Sequence, residues 1–236
     1  MIRAVFFDLY GTLAGFRPSR YEIQAEACAR FGITVTPEGV LKGYALADAY
    51  MAEQNAILPV RRRDRQGRNE FFAEYERRVM EGAGVHVSAH RAAEIWRRVR
   101  QVPYGLERFD DALPVLEQLK ERGLTLGLIS NMNQDGASLT ESMGLSTVLD
   151  FAVTSAEVGS EKPHPPIFLA ALERSGARPD EAVHVGDQIT SDIDGASNVG
   201  IRPVLLDRDR NHPDITRCPR IETLSELPAL LAAYEQ

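Results

Sequence analysis

Three apolar runs of the sequence end on polar side chains that can do chemistry. These ends are Asp8-Leu9-Tyr10-Gly11-Thr12, Ser130-Asn131 and Gly186-Asp187, with Asp192 shortly after the last of them. Carboxylates brought into one site repel one another, so a site that holds two or three of them needs a cation. Lys162, which precedes a predicted helix, and a divalent metal ion would together supply that charge. The residue types therefore predict a site in which a lysine and a metal ion balance several carboxylates.

The apolar runs have the composition of buried β-strands, and helical patterns separate most of them. Strands are predicted at 2–7, 124–130, 151–154, 182–186 and 203–206, and helices at 135–143, 165–175 and 190–199. Strands that alternate with helices indicate βαβ units, hence an α/β fold with a parallel sheet and helices on both faces. Ligands of such sheets bind beyond the carboxyl ends of the strands, where the polar residues occur. His184, inside one of these strands, is predicted to be a packed core histidine.

Residues 16–102 have a different pattern. They contain helical stretches at about 20–31, 37–55, 69–82 and 88–100, with no strand between them. This segment has a net charge of +4, whereas the rest of the chain has −11. Its arginines are either solvated residues on helix faces or a basic surface that faces an anionic substrate. The chain is therefore predicted to carry a helical insertion after its first strand.

Composition excludes several classes of protein. The 236-residue chain is 44% apolar with a net charge of −7, which is not the charge of a polyanion-binding protein, so no nucleic-acid partner is predicted. It has no apolar run long enough to span a bilayer, and its first residues do not form a signal peptide, so no membrane association is predicted. Cys28 and Cys218 are too few for a disulfide framework. A cytoplasmic protein is expected, of unknown oligomeric state.

Four sequence motifs occur in a recognisable order. They are FFDLYGTL (6–13), LISN (128–131), EKPHPPIF (161–168) and HVGDQITSDIDGA (184–196). In this order they resemble the haloacid dehalogenase-like (HAD) hydrolase superfamily, over residues 1–13 and about 103–207. The helical insertion lies where that family has its helical cap. The resemblance implies a Rossmann-like core at 1–15 and 103–236 and an all-helical cap domain at 16–102.

The resemblance also implies roles for individual residues. Asp8 would be the nucleophile that forms a covalent aspartyl intermediate. Ser130 and the backbone N–H of Asn131 would bind a phosphate oxygen, and Lys162 would screen Asp8 from the incoming anion. Asp8, Asp187 and the backbone carbonyl of Tyr10 would hold Mg²⁺, and Asp192 would hold a water of the metal or orient Lys162.

Tyr10 departs from the phosphatases of this superfamily, most of which have a second Asp at that position as acid and base. A phenol with a pKa of about 10 is a feasible acid but a poor base at neutral pH. Tyrosine is typical there of the 2-haloacid dehalogenases, which need neither leaving-group protonation nor a metal. However, those enzymes have Ser and Asn in place of Gly186-Asp187, and Tyr where this chain has Phe168.

The sequence thus favours a Mg²⁺-dependent phosphatase of a small anionic metabolite, in which either Tyr10, as a feasible but weak acid, or another group supplies the acid–base catalysis. Two alternatives stay open. One is a metal-independent 2-haloacid dehalogenase, and the other is a metabolite-binding or regulatory protein with weak residual hydrolysis.

Overall fold

The computed structural model describes residues 1–234; residues 235–236, the last two of the predicted core, lie outside the described residues. The chain divides into two compact units. One, here called the core unit, combines Met1–Gly15 with the chain from Glu107 onward. The other, the helical unit, is Phe16–Leu106.

The core unit is built on a six-stranded sheet in the order β5-β4-β1-β6-β7-β8. The strands that pair in it all run parallel. They are β1 (Ala4–Phe7), β4 (Thr125–Ser130), β5 (Phe151–Thr154), β6 (Ala182–Gly186), β7 (Arg202–Leu206) and β8 (Arg220–Ile221). The predicted α/β fold class is therefore confirmed, although β8 was not predicted.

Strand β1 lies at the centre of the sheet and has solvent on neither side. All four of its residues are completely buried. Since successive side chains of a strand point to opposite faces, both faces of the sheet must be covered. On one face Phe6 packs in a cluster with Ile129 of β4, Val153 of β5 and Phe168 of helix α8 (Pro165–Ser175). This burial fixes the position of the residue that follows β1.

Helices connect the strands of the core unit. They are α5 (Ala112–Glu121), α6 (Gly136–Ser142), α7 (Ser155–Val158), α8 (Pro165–Ser175), α9 (Gly195–Asn198) and α10 (Leu227–Ala233), with 3₁₀ turns at Pro179–Glu181 and Leu224–Glu226. The helix predicted at 190–199 is present, but its first part, Ile189–Asp194, is π-helical and only the last part, α9, is α-helical. The amides of Asp192 and Ile193 both donate to the carbonyl of Gln188, at 2.9 and 3.2 Å, which widens the turn.

The helical unit contains α1 (Arg20–Ala29), α2 (Pro37–Ile57), a 3₁₀ turn at Val60–Arg62, α3 (Arg65–Gly82) and α4 (Ala89–Val99). Each α-helix begins after a side chain that accepts a hydrogen bond from a first-turn backbone N–H, which is the usual reason for a helix to start there. These residues are Ser19, Thr36, Asp64 and Ser88. Among the described residues, no helix has both the length and the apolar character needed to cross a membrane.

Helices α2 and α3 approach each other closely through two glycines. A side chain at Gly43 would overlap the backbone of Val79, and one at Gly82 would overlap the backbone of Gly43. Around this crossing lies an apolar core that includes Phe71, Tyr75 and Ile95. Two further strands, β2 (Ala14–Arg17) and β3 (Gly105–Arg108), pair as a small sheet where the chain passes between the units, at positions for which the sequence predicts no strand.

Candidate active site

The polar ends of three strands meet at one edge of the sheet in the core unit. Asp8 directly follows β1, Ser130 is the last residue of β4, and Asp187 directly follows β6. The last residue of β1, Phe7, pairs with Leu128 of β4 and Val185 of β6, so the three strands end within two residues of one another. The chain adds β4 and β5 on one side of β1 and then β6, β7 and β8 on its other side. The strand order therefore reverses at β1, and ligands of such folds bind at the carboxyl ends of the strands beside this switch point.

Lys162 provides a buried cation at this edge. Its side chain is 3% exposed, and its Nζ donates to Oδ1 of Asp8 at 2.5 Å and to Oδ1 of Asp192 at 2.6 Å. A lysine is seldom buried unless it is paired, and here it has two carboxylate partners. The structure therefore brings together three of the residues that the sequence analysis selected.

Ser130 and Asn131 contribute to this edge in different ways. Ser130 is almost fully buried, and its Oγ accepts a hydrogen bond from the backbone N–H of Met132 at 3.3 Å. The side chain of Asn131 holds the backbone of Lys162: Nδ2 donates to the Lys162 carbonyl at 3.1 Å, and Oδ1 accepts from the Lys162 N–H at 2.7 Å. The sequence motif predicts a role only for the backbone N–H of Asn131, whereas these side-chain hydrogen bonds to Lys162 are evident only from the structure.

Two glycines allow the other carboxylates to come close. A Cβ at Gly11, whose φ is +85°, would overlap the carboxylate of Asp187, and a Cβ at Gly186 would overlap that of Asp192. Carboxylate oxygens of Asp8, Asp187 and Asp192 lie within 4.8 Å of one another. Oxygen ligands at this spacing fit a hard divalent cation.

Asp192 accepts three hydrogen bonds. Its Oδ1 is shared by Lys162 and by Nε2 of His184, the latter at 2.9 Å, and its Oδ2 accepts from the backbone N–H of Gln188 at 3.0 Å. These contacts favour the orientation of Lys162 over the binding of a metal water. His184 is buried as predicted, but its hydrogen bond to Asp192 was missed. A polar residue in an otherwise apolar buried strand was the signal that could have found it.

Tyr10 lies half-buried in the loop after β1, where it forms an isolated bridge with Ala14. Arg208 supports this loop, since its Nη2 donates to the carbonyl of Thr12 at 2.8 Å while the same guanidinium pairs with Asp111. Arg208 follows β7 in a segment without a recognised motif, and the sequence analysis did not select it.

The comparisons with known proteins agree with these observations. A family model described as haloacid dehalogenase-like hydrolase matches residues 2–200. This chain belongs to that family. The haloacid dehalogenase-like hydrolase domain-containing protein 3 of Danio rerio is 29% identical over 235 residues, which cover 98% of this chain and 96% of that protein.

Other relatives of this haloacid dehalogenase-like hydrolase differ in their named activities. The glyceraldehyde 3-phosphate phosphatase of Methanothermobacter thermautotrophicus is 29% identical over 246 residues, covering 96% of this chain and all of that enzyme. The solved structure of a 2-haloacid dehalogenase from Pseudomonas syringae is 27% identical, with a TM-score of 0.59 over 99% of this chain and 100% of that chain. The chain is therefore a hydrolase of a family that includes phosphatases.

Charge at the site of this haloacid dehalogenase-like hydrolase depends on Lys162. Burial raises the pKa of Asp8 to about 6, although Lys162 opposes this shift. Burial acts in the same direction on Asp192, but Lys162 and His184 outweigh it and hold the pKa of Asp192 well below its usual range. Burial would lower the pKa of Lys162, yet the two carboxylates keep it above its usual range. The lysine is thus charged at neutral pH.

His184 has the opposite balance. Burial lowers the pKa of its imidazole, and the hydrogen bond to Asp192 only partly offsets this effect. The ring is therefore neutral at pH 7 and acts on Asp192 through its hydrogen bond rather than through a charge.

Proposed function

We propose that the protein is a Mg²⁺-dependent phosphatase that acts on a small phosphorylated metabolite through an aspartyl-phosphate intermediate on Asp8. The observation that carries this proposal is the convergence of the Asp8, Asp187 and Asp192 carboxylates beside one buried lysine. Three carboxylates bring more negative charge than Lys162 balances. A divalent cation would remove this excess and would also attract the dianionic substrate.

The residues present fit a magnesium ion. Asp8, Asp187 and the backbone carbonyl of Tyr10 would hold it, and all three offer the oxygen ligands that Mg²⁺ prefers. When bound, the ion would neutralise charge on a phosphate oxygen. Asp192 is already engaged by Lys162, His184 and Gln188 and is better suited to orient the lysine.

The chain's own residues would carry out the reaction in two steps. A carboxylate oxygen of Asp8 attacks phosphorus, and the bond between phosphorus and the leaving oxygen breaks as the Tyr10 phenol donates its proton to that oxygen, so that the alcohol departs neutral. Water then attacks the acyl phosphate, which releases inorganic phosphate and restores the Asp8 carboxylate. The Tyr10 phenolate regains a proton from the attacking water of the second step. Ser130, the backbone N–H of Asn131 and the Lys162 ammonium would bind the phosphate oxygens in both steps.

The second candidate function is 2-haloacid dehalogenation. Tyr10 favours it, because halide departs without protonation, and a 2-haloacid dehalogenase is among the similar solved structures. Asp187 opposes it, since a third carboxylate has no role at a metal-independent site. Binding or regulation with weak residual hydrolysis is the third candidate, for which Tyr10 is again the only argument.

A panel of phosphate esters assayed with and without Mg²⁺, beside a 2-haloacid assay, tests the proposal. We expect phosphate release that requires the metal and is abolished by chelation, and no halide release. The Asp187→Asn variant should weaken Mg²⁺ activation more than any other single change at the site. Metal-independent halide release would establish the dehalogenase instead, and inactivity with every ester and haloacid would favour the binding protein.

The Tyr10→Asp variant tests the missing acid and base. General acid–base catalysis contributes roughly 10²–10⁴-fold, which is the scale of the deficit expected on alkyl phosphates. Aryl and acyl phosphates have better leaving groups and should suffer much less. Tyr10→Asp should therefore raise the alkyl rate more than the aryl rate. An unchanged alkyl-to-aryl ratio would mean that another group supplies the proton.

A further inference from the structure

His184 is an unusual residue for its place in the fold. It lies in β6, which has β1 on one side and β7 on the other, and it is completely buried. Its strand neighbours Val183 and Val185 are apolar and equally inaccessible. A buried polar side chain destabilises the fold unless it is hydrogen-bonded, so an apolar residue would serve packing better here. Within residues 1–234 the His184 side chain makes a single hydrogen bond, which is therefore the feature to explain.

That hydrogen bond fixes the tautomer of the ring. Nε2 lies 2.9 Å from Oδ1 of Asp192, a carboxylate that can only accept. Nδ1 is buried and has no hydrogen-bond partner among residues 1–234. A buried ring nitrogen without a partner is tolerated more easily as a bare acceptor than as an N–H group. His184 is thus the neutral tautomer that carries its proton on Nε2 and donates it to Asp192.

The acceptor of this hydrogen bond, the Asp192 carboxylate, also binds the Lys162 ammonium. Oδ1 of Asp192 takes both the Lys162 ammonium, at 2.6 Å, and His184, while Oδ2 takes the backbone N–H of Gln188. Donors from three directions leave this carboxylate one orientation. A freely rotating carboxylate could instead turn both oxygens toward the ammonium and draw it away from Asp8.

We propose that His184 is a positioning residue, which fixes the Asp192 carboxylate so that Lys162 stays shared between Asp192 and Asp8. The proposal rests on the proposed function, because the shared position is the one from which Lys162 would contact the substrate's phosphate oxygens. At metal sites, residues that orient a ligand through a hydrogen bond contribute about 10–100-fold in activity or metal affinity, and we expect an effect of the same order from a residue that orients the partner of Lys162. The loss should appear in kcat, since the phosphate would still bind through Ser130 and Asn131.

Three variants separate this role from packing. His184→Gln keeps an N–H donor the same number of bonds from Cβ, whereas His184→Leu removes it. Phe168→Leu is the matched packing control, because the Phe168 ring lies edge-on to His184 at 5.3 Å and makes none of the site's hydrogen bonds. In Mg²⁺ we expect His184→Leu to lose about 10–100-fold in kcat with KM changed by less than about threefold. His184→Gln should retain most of the wild-type kcat. Phe168→Leu should lower the melting temperature but leave kcat close to that of the wild type.

A long-range ¹H–¹⁵N correlation spectrum of the wild-type imidazoles provides a readout that does not depend on turnover. The His184 ring, assigned from its absence in His184→Gln, should show a protonated Nε2 and a bare Nδ1 at neutral pH. The opposite tautomer would overturn the inference, whatever the enzyme's activity. Equal kcat loss in His184→Leu and His184→Gln, or in Phe168→Leu, would also overturn it. If the wild-type protein hydrolyses no ester, the proposed function is refuted. The spectrum then still tests whether His184 donates its Nε2 proton to Asp192.

Discussion

Two buried carboxyl clusters, one in each unit of the molecule, have opposite charge states. In the core unit Asp8 and Asp192 surround Lys162, and that cation keeps Asp192 ionised. In the helical unit Glu76 is completely inaccessible and, within the described chain, has no ion-pair partner. Burial raises its pKa to about 8, so it holds a proton at neutral pH. Burial alone thus does not decide the charge of a carboxyl group, because a neighbouring cation can reverse its effect.

The hydrogen-bond network around Glu76 is formed by neutral side chains. Its Oε1 accepts from Nε2 of Gln24 at 2.5 Å, and the Gln24 Oε1 accepts from the Tyr44 hydroxyl at 3.1 Å. The same Gln24 nitrogen lies 3.5 Å from the sulfur atoms of Cys28 and Met80. A neutral carboxylic acid suits such a cluster, whereas an ion there would be poorly solvated. The Lys162 cluster therefore stabilises ionised carboxylates, whereas the Glu76 cluster stabilises a neutral carboxylic acid.

The largest effect should follow from Asp8→Asn, which removes the proposed nucleophile but keeps its shape. We expect phosphatase activity to fall below detection, beyond the roughly 10²–10³-fold that loss of one transition-state hydrogen-bond donor costs. The fold should persist, because Lys162 keeps Asp192 as its partner. Steady-state rates measure the loss of activity, and a thermal melt shows whether the fold persists. Asp194→Asn is the control, since Asp194 pairs at the surface with Arg217 and should be dispensable. Substantial residual turnover in Asp8→Asn would assign the nucleophile elsewhere.

Lys162→Met should leave the carboxyl groups of Asp8 and Asp192 buried without a neighbouring cation, as the carboxyl group of Glu76 is. Two buried carboxylates would then lack their cation, and breaking a buried pair in this way costs about 3–5 kcal/mol. We expect that loss in the free energy of unfolding at pH 7 without metal, measured by calorimetry. Since the lysine lowers the pKa of Asp8, that pKa should rise above about 6 in the variant.

Lys120→Met is the matched control for that loss. Lys120 pairs with Asp150 at the surface, where both side chains are more than a third exposed. Such a pair contributes about 0–1 kcal/mol. Equal losses in the two lysine variants would show that burial of Lys162 has no special energetic weight, and the contrast between the two clusters would fail.

The sequence predicted the charged cluster better than the neutral one for a physical reason. Asp8, Lys162 and Asp187 each follow a strand or precede a helix in a recognisable motif, so their meeting at one sheet edge could be inferred from topology. Glu76 lies within a long helix among other glutamates, and only the packing of α1 and α2 around it makes it different from them. The sequence drew attention to Asn131 and His184 but did not predict their contacts, because a side-chain hydrogen bond to a neighbouring turn or helix leaves no periodic signal.

The neutral cluster has its own dependence of stability on pH. The Glu76 carboxyl has a pKa of about 8 when folded, against an ordinary value of 4.5. Between these values the folded chain retains a proton that the unfolded chain has lost. The contribution of Glu76 to the free energy of unfolding must therefore fall as the pH rises from about 4.5 to 8, by about 1.4 kcal/mol per pH unit. Below and above that range, Glu76 should not make the free energy of unfolding depend on pH.

Glu76→Gln should remove that slope, because an amide keeps the hydrogen bond to Gln24 and cannot ionise. We expect the variant to match the wild type near pH 5 and to exceed its stability increasingly toward pH 8. The chain's only tryptophan, Trp96, stacks on Phe72 in the helical unit, so urea unfolding followed by its fluorescence reports on this unit. Glu70→Gln, an exposed change on the same helix, should leave the slope unaltered. If the curves for Glu76→Gln and wild type run parallel from pH 5 to 8, Glu76 is ionised in the folded protein and the two clusters do not differ as inferred.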